Sequence, residues 1–111
     1  MTRLLERAQV RLAADDATLS VEGPVGFDVA TALADSGCRW LSARPAGSRV
    51  RFDLAGVADV SSAALSVLLE WARAARAAGL ILEAVRLSPA LRRLTDLAGL
   101  DRLLPLENPA A

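Results

Sequence analysis

The chain has 111 residues, 53% of them hydrophobic, and its 13 arginines are matched by 13 acids, with no lysine and no histidine. That size suits one domain around one core, and the cancelled charge offers no broad positive field for nucleic acid or anionic lipid. Without histidine there is no Ser-His or Cys-His catalysis and no common zinc ligand, and the single Cys38 leaves no intrachain disulfide and no cysteine-rich metal site.

The N-terminal stretch MTRLLERAQVRLAADD carries a charge every few residues, so it lacks the continuous apolar core of a signal peptide. No window approaches the roughly 18 apolar residues of a membrane span. The expectation is a cytoplasmic protein with no direct membrane insertion. Residues 8–13 and 17–23 alternate apolar with polar positions around Ala14-Asp15-Asp16, which predicts a β-hairpin. After Gly23-Pro24, the apolar positions Phe27, Val29, Ala30, Leu33 and Ala34 recur at helical spacing and predict a helix over 28–41. Pro45 and Gly47 mark a loop over 42–48.

The stretch VRFDLAG then alternates as a central strand ending near Gly56, its apolar run continuing through Val57 and Val60. From Ser62 to about Ala78, Leu65, Leu68, Leu69, Ala72 and Ala75 trace one helical face. Ser61 is suited to cap that helix and Gly79 to stop it. Residues 80–87 form a short apolar run, read as a buried strand. Ser88-Pro89 opens a last helix with Leu91, Leu94, Thr95 and Ala98 on one face, ended by Gly99. A turn over 101–104 closes the chain, and residues 107–111 are expected to fray. The order β-β-α-β-α-β-α predicts an α/β fold in which helices pack over a mixed β-sheet, the strands linked through single helices running parallel.

The succession LSVEGPV, FDLAGV, DVSSAALSVLLEWARAARAAG and SPALRRLTDLAGLDRLLPL resembles a STAS domain, the fold of anti-sigma-factor antagonists. It is most similar to the MlaB-type subunit of the bacterial Mla phospholipid-transport ABC complex. The resemblance spans roughly residues 10–106 and implies one STAS-like domain over 1–111, with a core from about 8 to 106. Relatives usually carry Asp then Ser or Thr at the start of the second helix. Alignment on Leu65 places Ser61 at the acid position, Ser62 at the hydroxyl position and Ala64 where Gly is common. The hydroxyl is kept and the acid is not.

Ser62, Ser66, Glu70 and Arg73 recur at spacings of four, four and three, so they share one polar helical face. An ordinary solvated face carries the same pattern. The resemblance implies that this helix and its neighbour face an ABC-transporter ATPase, which makes Ser61, Ser62, Ser66, Glu70, Arg73 and Arg92 the partner-binding candidates. Arg93 shares the basic pair of the last helix. Ser62 is also a candidate phosphorylation site, since a helix N-terminus favours negative charge; the alternative is that Ser61 and Ser62 only start the helix. Trp71 and Trp40 could cover the core or anchor a partner, and Cys38 reads as a small buried hydrophobe rather than a reactive thiol.

No catalytic residue, cofactor or metal site is expected, because the glycines are dispersed as turn residues and no paired carboxylates fall at a convincing spacing. The expected function is non-catalytic: binding and supporting an ABC-transporter ATPase in phospholipid transport for outer-membrane lipid asymmetry. The alternative is an anti-sigma-factor antagonist switched by serine phosphorylation, with an anti-sigma factor kinase as partner. An enzyme is the remaining and least supported class.

Overall fold

A computed structural model describes residues 1–59 and 61–107; Val60 and the tail over 108–111, which the sequence reading assigned to the strand's apolar run and to fraying, lie outside them. Five strands form one sheet in chain order: β1 (Thr2–Arg7), β2 (Val10–Asp15), β3 (Thr18–Glu22), β4 (Arg49–Gly56) and β5 (Ile81–Leu87). β1, β2 and β3 run antiparallel, whereas β3, β4 and β5 are parallel. The parallel pairs are joined by α1 (Phe27–Ser42) and α2 (Ser62–Ala77); α3 (Pro89–Leu97) follows β5 and leads into a 3-10 turn at Asp101–Leu103.

Alternate strand residues, including Leu12, Leu19, Val21, Val50, Phe52, Leu54 and Val85, enter a single core with Val29 and Leu33 of α1, Val67, Leu68 and Trp71 of α2, and Leu91 of α3. The intervening Arg11, Arg49, Arg51 and Arg86 stay exposed. This is the period-two pattern of a sheet with one face packed and one wet.

On the wet face Arg51 Nε donates to Glu83 at 2.7 Å, and Arg49 donates to the same carboxylate at 3.4 Å. The hydrogen bond from Arg51, and then its charge, hold the Glu83 carboxyl below its ordinary range. A depressed carboxylate stabilises the fold above its unfolded pKa, about 4.3, and loses that contribution as pH falls through the lower folded value. Glu83→Gln is therefore expected to melt slightly below wild type at pH 7 and to converge with it in acid, as thermal scans at the two pH values would show. The solvated pair makes the effect small.

The structure adds a strand to the predicted order, which becomes β-β-β-α-β-α-β-α. Two features concealed β1. A bulge between Arg3 and Leu5 breaks its alternation. Its turn into β2 uses Ala8 and Gln9, both at positive φ (51° and 68°), where such hairpin turns are usually signalled by Asn or Gly. Gly23 fits beside that turn: at φ 106° an added Cβ would lie 2.2 Å from the Gln9 carbonyl oxygen.

The predicted hairpin is also displaced. Ala13 and Ala14 are buried within β2, and the reversal falls at Asp16-Ala17, with Asp16 at φ 55°. Alanine is a weak strand former, so burial outweighed local preference there. The outer edge of β5 is occupied by the C-terminal segment: Val85 N–H donates to the Pro105 carbonyl at 2.9 Å, and Glu107 N–H donates to the Val85 carbonyl at 2.8 Å. Glu107, placed in the fraying tail by the sequence, is thus tied to the sheet.

Candidate functional site: the exposed face and N-terminus of the second helix

Ser61 precedes α2 in extended conformation, and its Oγ accepts a hydrogen bond from the Ala64 N–H at 2.9 Å. The same hydroxyl donates to the Val25 carbonyl at 2.6 Å. Ser61 is buried, so one oxygen caps α2 and ties the β4-to-α2 junction to the β3-to-α1 junction. Its expected place among partner-binding residues is corrected accordingly: the hydroxyl is committed inside the fold, and the adjacent Ser62 is the one exposed.

The buried face of α2 comprises Ala63, Ala64, Val67, Leu68, Trp71 and Ala75. Of the predicted stripe, Leu68 and Ala75 are buried, whereas Leu65, Leu69 and Ala72 are half-buried. Trp71 sets this rotation. It is fully buried, packs edge-on to Phe52 with centroids 5.7 Å apart, and donates from Nε1 to the Ala34 carbonyl at 3.2 Å. Helix α1 meets the indole at Gly37, where an added Cβ would fall 2.2 Å from Nε1. Trp71 is therefore a core residue and not a partner anchor.

Turning Trp71 inward turns Ser62, Ser66, Glu70 and Arg73 outward, and all four are exposed. Glu70 and Arg73 form an ion pair at 3.1 Å. Arg92, by contrast, is half-buried: it donates to the Glu107 carbonyl at 3.2 Å and to Asp96 at 3.4 Å. These bonds hold α3 against the C-terminal segment, so Arg92 is engaged within the chain while Arg93 is exposed.

Trp40 is half-buried against the core, with the Arg44 guanidinium 4.8 Å from its ring centroid. Cys38 is likewise half-buried, beside an open groove of about 680 Å³ lined by Asp35, Arg39, Ser42, Ala74 and Ala77. Burial, then the charges of Glu70 and Asp35, push its thiol above the ordinary value. Because the thiolate is the nucleophile, Cys38 is expected to be alkylated by iodoacetamide at pH 8 more slowly than an unhindered thiol. Intact-mass kinetics read this directly, since it is the sole cysteine.

One exposed residue was read from sequence as core-facing. Phe27, the first residue of α1, is 75% exposed. Its neighbour Val29 is buried, and two helical positions turn a side chain to nearly the opposite side. The first helical position also has no preceding turn for the ring to fold over, a signal available from Gly26-Phe27 itself.

A family model described as "Mlab, STAS domain" matches residues 8–105. The chain belongs to the STAS-domain family. The crystal structure of an anti-sigma factor antagonist from Mycobacterium paratuberculosis is similar to it, with a TM-score of 0.68 and 25% identity over 91% of this chain and 86% of that one. No curated protein sequence matches the chain significantly. The family match bears out the STAS resemblance, and the similar structure shares its α/β sheet-and-helix fold. STAS domains are generally non-catalytic modules that work through other proteins. Among the described residues, no group of three or more His, Cys, Asp or Glu side chains could hold a metal ion, and no helix is long and apolar enough to cross a membrane.

Proposed function

We propose that this STAS protein is a cytoplasmic docking subunit that binds and supports an ABC-transporter ATPase in phospholipid transport for outer-membrane lipid asymmetry. The observation that carries this reading is the exposed face Ser62, Ser66, Glu70 and Arg73, presented on a helix whose other side is fixed in the core, within a chain that matches a family model described as "Mlab". A rigid helix can place such a face against a partner at little ordering cost. Docking is the mechanism, with no chemistry on this chain.

Affinity purification of the tagged protein from its native cell is expected to recover an ABC ATPase. A Ser62→Arg/Arg73→Glu variant is expected to lose most of that recovery, because both changes lie at exposed positions where they alter the surface without reaching the core. Retrieval of no ATPase by the wild type, or undiminished retrieval by the variant, would overturn the reading.

The similarity to an anti-sigma factor antagonist supports a second reading, in which a partner kinase phosphorylates Ser62 and releases the complex. Ser62 stands exposed in the first turn of α2, where unpaired amides and the helix dipole stabilise a phosphate. The serine at position 61, where an acid is usual, weighs against recognition by such a kinase. Intact mass after incubation with a candidate anti-sigma kinase separates the two readings: a gain of one phosphate at Ser62 favours the switch.

A further inference from the structure

At the C-terminal end of α2, about 21 Å along the helix from Ser62, the first half of β5 keeps an edge that the C-terminal segment does not pair. Ile81 N–H turns inward and donates to the Ser48 carbonyl at 2.9 Å. Successive strand residues alternate, so the N–H and C=O of Leu82 turn outward, and neither has a backbone partner there among the described residues. Glu83 is then an extra residue in the ladder, because Val50 faces Leu82 and Arg51 faces Ala84. Beyond it the outward residue is Val85, which the C-terminal segment occupies.

Beside Leu82 lies an apolar groove of about 350 Å³, lined by Ala72 and Arg76 of α2, by Leu80 and Leu82, and by Leu103 and Pro105. Leu103 is 68% exposed. Arg76 is exposed and forms no ion pair among the described residues. The charges around it are otherwise engaged or balanced: Glu70 holds Arg73, Arg49 and Arg51 hold Glu83 on the wet face, and the exposed Asp101 and Arg102 cancel.

We infer that this edge and groove take an extended segment of a partner protein, which hydrogen-bonds to the Leu82 backbone, places an apolar side chain in the groove and sets a carboxylate against Arg76. Strand addition of this kind draws affinity from main-chain bonds and selectivity from pockets that accept alternate side chains. The added segment is short, since Pro105 has no N–H and its carbonyl already accepts from Val85. The site is separate from the Ser62–Arg73 face and stands whether or not that face docks an ATPase.

The test selects binders from a phage-displayed library of random short peptides on the full-length protein. Enriched peptides are expected to share an apolar residue with an acidic one close by. Each is then resynthesised with an N-methyl group moved along it one residue at a time. Losses of about tenfold at alternate residues are expected, because only alternate amides of a strand face its neighbour. Exchange of the Leu82 amide is expected to slow in the complex, and Arg76→Glu to weaken binding about tenfold with an unchanged melting temperature.

No enriched peptide, tolerance of the N-methyl group at every position, or slowed exchange in Thr2–Arg7 instead of at Leu82 overturns the site. Undiminished binding by Arg76→Glu overturns the carboxylate partner. A dimer of the protein alone, with the Leu82 amide slowed as its concentration rises, overturns the partner segment in favour of a second copy of this chain.

Discussion

Replacing Trp71 by alanine is expected to cost about 3–5 kcal/mol, the range for removing a large aromatic from a core. The indole is wholly enclosed, meets Phe52 edge-on and donates to the Ala34 carbonyl, so truncation opens a cavity and strips that carbonyl of a partner. The same packing makes Gly37 sensitive to a single methyl. An alanine there normally favours a helix by about 1 kcal/mol. Here its Cβ would fall 2.2–2.8 Å from three indole atoms, and the overpacking, about 1–3 kcal/mol, outweighs the gain.

The two positions are coupled, which gives the sharper test. Trp71→Leu removes all three indole atoms that Gly37 faces, so Gly37→Ala is expected to be less harmful in that background than alone. Urea denaturation of the two single variants and the double would measure the coupling. Strict additivity would show that the helices separate to admit the methyl.

Ser61→Ala is expected to be the next most costly change considered, about 2–3 kcal/mol. Loss of an N-cap contributes about 1 kcal/mol, and the buried Val25 carbonyl left without its donor contributes about 1–3 kcal/mol less any relaxation. Ser61→Asp divides the two roles, because a carboxylate still accepts from the Ala64 N–H but has no proton for Val25. Its stability is expected to show no recovery to wild type despite the better cap charge. A wild-type melting temperature for Ser61→Asp would mean that the Val25 bond contributes little.

The parts of the fold legible in sequence were those whose local and tertiary preferences agree. Ser61 and Ser88 read as helix caps and both accept the expected amide bonds, and VRFDLAG reads as a strand because its alternation matches the one-sided burial of β4. β1 was illegible because its bulge erased the alternation and its turn was built from Ala8 and Gln9, which carry no turn signal. The exposed face of α2 was found from spacing alone, but its exact rotation was not: apolar residues cover more of the helix than the core accepts, and only the pairing of Trp71 with Gly37 decides between them. Ser61 and Arg92 read as surface groups because nothing in sequence announces that their partners are the carbonyls of Val25 and Glu107.

The strip from Pro105 to Glu107 has a meaning for how this chain can be shortened or extended. It lies after all three helices and adds only an isolated bridge from Leu106 to Val85, so it looks dispensable. Yet it pairs both backbone groups of Val85, in the second half of the last strand's outward edge, as the bulge and the charges of Arg3, Glu6 and Arg7 blunt the opposite margin. A chain cut before Pro105 would lose the contact to Arg92 of α3 and bare part of an edge that can recruit other chains, so three residues outside every helix and named strand bear on whether the folded protein stays dispersed.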